Sequence, residues 1–280
     1  MPSRGGTHFQ ILDDIARELS GDVNFPTCLD AAILVRNALK DPFVRNEQIV
    51  QAISVEPLIS SKLLRLASSV IYNPAGHTVA DLNTVIERLG IDIVRMTSLA
   101  VAMDQMLKSV HLSRYNTIAR AAWENSLQVA AIARTLARHN GYATPDMAML
   151  AGLVHNIGIF YLLFRAAAYP DYRDNEALMI ELIAGWHEGI GENLLHSLGL
   201  PTTITDAVRD QSHRTRAEAP RSISDILCFS IALAGNAPAW QNRTIGAEEE
   251  AWQADIRLQH EDLRQAADAE IAELRAALSV

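Results

Sequence analysis

Met147-Ala148-Met149-Leu150-Ala151-Gly152-Leu153-Val154-His155-Asn156-Ile157-Gly158-Ile159-Phe160-Tyr161-Leu162-Leu163-Phe164 is the most apolar stretch of the chain, and its reading decides the fold. By length it could cross a bilayer. His155 and Asn156 stand side by side in its middle, however, where two polar groups at mid-bilayer depth would be costly. The stretch therefore reads as one buried core helix of a soluble protein. A chain of 280 residues with 49% hydrophobic residues has ample material to bury such a helix without staples.

Outward from this run, apolar positions recur at helical spacing nearly everywhere, and strand-length alternation is almost absent, so the expected class is all-α. C-terminal to the run, 173–198 holds two predicted helices hinged near Gly185 or Gly189. Pro201 opens another, and Ser222 to Ala234 is a further apolar helix. The composition from Gly235 to Gly246 is that of a loop, and Glu248-Glu249-Glu250 reads as a solvated helix start. His260 to Leu278 carries Leu263, Ala267, Ile271, Leu274 and Leu278 on one stripe, a docked amphipathic helix in preference to a coiled-coil strand, because the repeat is short.

On the N-terminal side a long helix is predicted from about Ser113 to His139, ended by Asn140 and Gly141, with Thr144 and Pro145 as cap and first helical residue of the central run. Before it, Asp81 to Leu89 closes at Gly90 and Ile91 to Leu107 continues. Pro57 follows Glu56 as the first residue of a helix through Ala67, and Asn46 is a candidate cap. Thr27 to Leu39 ends at Asp41-Pro42. The first helix, about Phe9 to Leu19, presents Phe9, Leu12, Ile15, Ala16 and Leu19 and stops at Gly21.

The formal charge of −9 repels a phosphate backbone, and no dense Lys/Arg stripe reverses it, so nucleic acid is not the expected partner. Cys28 and Cys228 both lie in apolar helical patterns and read as buried thiols, which fits a reducing cytoplasm. Nothing near Met1 marks the chain for export. No P-loop, dinucleotide fingerprint or Cys-x-x-Cys motif is present.

Six ordered phrases add a resemblance. Phe25-Pro26 precedes a helix. Glu56 to Ser69 (EPLISSKLLRLASS) follows, then Leu82 to Ile86 with Arg88-Leu89-Gly90, then Trp123-Glu124-Asn125-Ser126. Ala151 to Gly158 (AGLVHNIG) is the fifth, and Glu188-Gly189-Ile190-Gly191 with Leu200-Pro201 the sixth. Together they resemble the HD-related output domain (HDOD) family. The resemblance implies two packed helical subdomains, the second like HD-type metal-dependent phosphohydrolases, in a bacterial signalling protein. The expected boundaries are an N-terminal helix or extension at 1–24, an N-terminal half at 25–110, an HD-like half at 111–235, and a linker with C-terminal helix at 236–280.

An HD-type enzyme of that fold holds metal with a His on one helix, an adjacent His-Asp pair on another, and a distant Asp, and the metal makes hydroxide from bound water near neutrality. The resemblance carries these positions onto Asn125, His155-Asn156 and the neighbourhood of Ser230-Ile231. His155 alone keeps its type. An Asn carbonyl can ligate a hard cation but brings no charge, and Ile231 cannot ligate. The expectation is no catalytic residue, no metal and no cofactor, with Asn125, His155, Asn156 and Ile231 as vestigial positions.

His155-Asn156 reads as a buried polar pair bonded to backbone or to Asn125. The alternative is a remnant pocket lined by Asn125, His155 and Asn156, bordered by His187 and His213, although His187 at a helix boundary reads more simply as a surface or hinge residue and His213 beside Arg214 and Arg216 as a solvated loop. The expected function is regulation through protein partners, with a dimer left open. A divergent phosphohydrolase and a nucleotide-type ligand sensor are the alternatives.

Overall fold

In the computed structural model the described residues are 4–20, 30–39, 44–79, 81–173, 175–212, 219–235, 240 and 246–278, and every regular element among them is helical. The readings at Gly21, Phe25-Pro26, Cys28, Asp41-Pro42 and His213 fall outside the described residues.

The helices are α1 (Arg4–Ser20), α2 (Asp30–Ala38), α3 (Asn46–Ser54), α4 (Pro57–Ser68), α5 (Leu82–Leu89), α6 (Ile91–Lys108), α7 (Asn116–Asn140), α8 (Pro145–Val154), α9 (Ile157–Ala166), α10 (Glu176–Ser197), α11 (Thr202–Arg209), α12 (Ile223–Ala234), α13 (Ala247–Gln259), α14 (Glu261–Ala266) and α15 (Asp268–Leu278), with 3₁₀ turns at Val110–Tyr115 and Pro170–Tyr172. In the N-terminal half α6 is the hub, packing on α2, α4 and α5. In the second half α7 is the hub, packing on α8, α12, α14 and α15. α6 also packs on α8 and α9, so one continuous apolar core joins the two sides.

Local chemistry accounts for most boundaries. Glu56 accepts from the Leu58 amide at the start of α4 with Pro57 in the first turn. Asp81 accepts from the Thr84 amide, and Thr144 from the Met147 amide ahead of Pro145. Gly90 adopts φ 78°, which lets α5 stop and α6 start without a linker.

Six expectations are corrected. Phe9 is 72% exposed, and α1 instead buries Ile11 and Ile15. Its rotation is set by polar contacts to α9 and the turn beyond it: Glu18 takes Tyr161 Oη at 2.8 Å and Arg165 at 2.7 Å, and Asp14 takes Tyr169 Oη. Asn46 is the first helical residue rather than the cap. Arg45 is the cap, its amide donating to Gln48 Oε1 at 3.0 Å. The Ser113 start is delayed to Asn116 by the preceding 3₁₀ turn.

The central apolar run is two helices, because the backbone leaves the α region at Asn156 (φ −95°, ψ 7°). Conversely 173–198 holds one helix where two were expected. Gly185 and Gly189 lie unstrained inside α10, held straight by buried Leu182, Ile183, Ile190 and Leu194 against α9. The C-terminal stripe is likewise divided, into α14 and α15 around the buried Ala267. The stretch Pro145–Ala166 is the described run long and apolar enough to cross a membrane, and 89% of its window is buried in the protein's own core.

Candidate functional site

Asn125 and Ser126 sit mid-way along α7, and His155 and Asn156 form the elbow between α8 and α9. Packing of α7 on α8 brings the two pairs together in the core: Asn125, His155 and Asn156 are 5%, 0% and 1% exposed, and Ser126 is fully buried. Asn156 Nδ2 donates to Asn125 Oδ1 at 3.0 Å, and lies 3.3 Å from both the Ala122 carbonyl and Ser126 Oγ.

The imidazole is held from both sides. His155 Nδ1 lies 2.6 Å from the Gly152 carbonyl, which can only accept, so Nδ1 carries a proton. Nε2 lies 3.1 Å from Asn125 Oδ1. Burial pulls the ring's pKa down from 6.5 to about 4; the Gly152 bond opposes this and the neighbouring His187 adds to it. At neutral pH the ring is therefore uncharged, and Nε2 presents a lone pair.

His187, from α10, is 6% exposed and donates from Nδ1 to the Ile183 carbonyl at 2.7 Å. Its pKa is likewise held at about 4 by burial, against the pull of that hydrogen bond. Ile231 is half-buried on α12 against the core, while the adjacent Ser230 turns its hydroxyl back to the Ile226 carbonyl at 2.7 Å. Of the sequence candidates, then, the fold joins Asn125, His155 and Asn156 directly and sets His187 close enough to act on the ring electrostatically.

Three contributors escaped the sequence reading. Gln211, just past α11, donates from Nε2 to the His155 carbonyl at 3.3 Å and ties the elbow to the third side of the site. Gly152 and Gly158 bracket the polar pair for a steric reason. A Cβ on Gly152 would lie 2.6 Å from Ala130 Cα, and one on Gly158 would lie 1.9 Å from the His187 carbonyl oxygen. Helix backbones touch at both places, so no side chain fits. The fixed spacing of these glycines around His155-Asn156 was the available signal.

The donor set does not suit the transition metal that an HD-type hydrolase employs. It offers one neutral imidazole and two amides, and Asn156 turns its NH₂ rather than its oxygen toward Asn125. Asn156 Oδ1 and Gln211 Oε1 are buried and meet no hydrogen-bond donor among the described residues.

Residues 25–214 match the HDOD domain family. A comparison with curated protein sequences finds no match. Among solved structures, the chain is similar to a Shewanella amazonensis protein provisionally named a metal-dependent phosphohydrolase, with a TM-score of 0.73 and 22% identity over 98% of this chain and 100% of that one. It is similar to a Marinobacter aquaeolei protein provisionally named for signal transduction (0.56, 19%, 97% and 65%). It is also similar to a Geobacter sulfurreducens HDOD domain protein of unknown function (0.53, 18%, 94% and 98%). At these identities the likeness is one of fold.

Proposed function

The chain belongs to the HDOD domain family, and on that premise we propose that it is a cytoplasmic, non-catalytic signal-transduction module that acts by binding other proteins. The observation that carries this reading is the chemistry of the old hydrolase centre. Its histidine is buried and neutral, its partners are amides, and its hydrogen bonds run among Asn125, Ser126, Asn156 and the Gly152 carbonyl. Hydrolysis of a phosphodiester by an HD-type centre needs charge on a metal and a hydroxide to use it. These residues supply instead a rigid polar rivet that fixes α7 against the α8–α9 elbow.

The test is elemental analysis of purified protein incubated with divalent metals, followed by an assay on generic phosphodiesters beside the His155→Ala variant. The expected result is no stoichiometric metal and no turnover that depends on His155. Metal at one equivalent together with turnover abolished by His155→Ala overturns the reading.

A second reading, a sensor that binds a small ligand without turning it over, is favoured by the two buried acceptors at Asn156 and Gln211. A ligand donating to both would stabilise the folded chain by mass action and raise its melting temperature in a screen of nucleotides and small amines.

A further inference from the structure

A concentration of buried charge lies beneath the last helix. On the side of α4, Lys62 donates to the Leu278 carbonyl and Arg65 to the Ala276 carbonyl. On the side of α7, Glu270 accepts from Arg134 at 2.6 Å and from Arg138 at 3.2 Å, and Arg275 pairs with Glu124 at 2.7 Å. Lys62, Arg134 and Glu270 are 1%, 4% and 6% exposed. α15 thus spans both halves of the fold, beyond the end of the family match at residue 214.

The seat recognises general features of a helix. Lys62 and Arg65 take last-turn carbonyls, which any α-helix leaves without internal partners, and their charges suit the negative end of its dipole. Arg134 and Arg138 require one carboxylate two turns earlier. Asp104 lies 3.6 Å from Lys62 and Asp146 3.1 Å from Arg134, so the seat is a mixed set of charges in which Arg134 and Arg138 still converge on a single carboxylate of the helix.

The apolar hold is modest, with Leu274, Ala277 and Leu278 buried but Leu263 and Ile271 half-buried. α15 has 11 residues, too few for a stable helix off its seat. A cavity of about 480 Å³, lined in part by Ile271 and Arg275, adjoins it.

We propose that the seat between α4 and α7 is a docking groove for an acidic amphipathic helix of a partner protein, and that α15 is its resident occupant. The proposal rests on the protein-binding reading above and gives the partner a chemistry: a carboxylate in the place of Glu270, apolar residues in the places of Leu274 and Leu278, and a helix end over Lys62. Tethered in the same chain, α15 competes at high effective concentration, so a partner gains access when the latch is weakened.

The test uses the full chain and, as probe, a fluorescein-labelled peptide with the sequence of residues 260–278. The chain carrying Glu270→Gln and Leu274→Ala is expected to bind this peptide about tenfold more tightly than the unmodified chain, because its own helix no longer occupies the groove. A peptide carrying Glu270→Lys is expected to lose that gain. Equal binding by the two chains, or equal binding of the two peptides, overturns the proposal. If circular dichroism shows the double variant unfolded, Arg275→Ala, which removes an exposed contact, replaces it with the same expected direction. A chain that ignores the peptide yet retains a specific protein from lysate overturns the groove alone. Turnover dependent on His155 overturns the non-catalytic reading and leaves the groove standing.

Discussion

His155 and Glu270 are both buried, and the molecule treats their charge in opposite ways. Around His155 every partner is a neutral amide or carbonyl, and the ring is kept uncharged. Around Glu270 two arginines and the Thr135 hydroxyl converge on one carboxylate, and Arg134 also reaches Asp146 and lies 4.5 Å from the centre of the Tyr72 ring. The chain keeps its buried ion pairs at the seam under α15. A hydrolase would concentrate charge where it bound metal. Here the cluster around His155 is packed as core, and charge is used where a helix is held.

Acid should separate the two regions most widely. Unfolded histidines take up a proton below a pH of about 6.5, while folded His155 and His187 resist until about 4. Their stabilisation is complete above the unfolded pKa and is lost as pH falls through that window. Each ring contributes on the order of 3 kcal/mol over the full interval. Urea denaturation followed across this range should show a steep loss of stability that is flattened in the His155→Gln, His187→Gln double variant. A double variant with the slope of the unmodified chain would mean that the site around His155 is not where the acid sensitivity resides.

The next effect comes from the glycines at the same elbow. Gly158→Ala places a Cβ 1.9 Å from the His187 carbonyl oxygen and 2.8 Å from the Gly191 amide nitrogen, and both obstacles are backbone. α9 must therefore separate from α10, at an expected cost of about 4 kcal/mol, in the range reserved for severe overpacking. Gly185→Ala, on the same helix pair but with nothing within 4 Å of its Cβ, is the control. It should raise stability by a few tenths of a kcal/mol through helix propensity. Similar thermal midpoints for the two variants would refute the close helix approach on which the polar elbow depends.

These two regions also differ in how far the sequence reveals them. The period of apolar residues, the Glu56-Pro57 and Thr144-Pro145 starts and the turn at Gly90 are local, and the helices follow from them. The trio of Asn125, His155 and Asn156 was legible because a family pattern places those positions together. The seam was not. Lys62 lies inside one of the quoted phrases, yet a lysine in a helix ordinarily reads as solvated, and what buries it is a helix end more than two hundred residues away. Glu270 lies between apolar positions of the last helix and reads as part of its wet face until α7 brings Arg134 to it. Gly185 and Gly189 misled for the opposite reason: local propensity suggested a hinge, and packing on α9 overrode it.

The smallest effect tests whether all of the seam's charge matters equally. Arg275 and Glu124 are 48% and 45% exposed, and an ion pair in that setting contributes under about 1 kcal/mol and is screened by salt. Arg275→Ala should therefore lower the unfolding free energy by less than about 1 kcal/mol, with the difference vanishing at high salt. The local consequence should be larger than the global one, since this pair fastens the last turns of α15 to α7. Hydrogen exchange along 268–278 should quicken while the amides of α8 and α9 keep their protection. Equal loosening at both places would mean that the latch and the core unfold as one unit, and the contrast between a sealed centre and a releasable seam would fail.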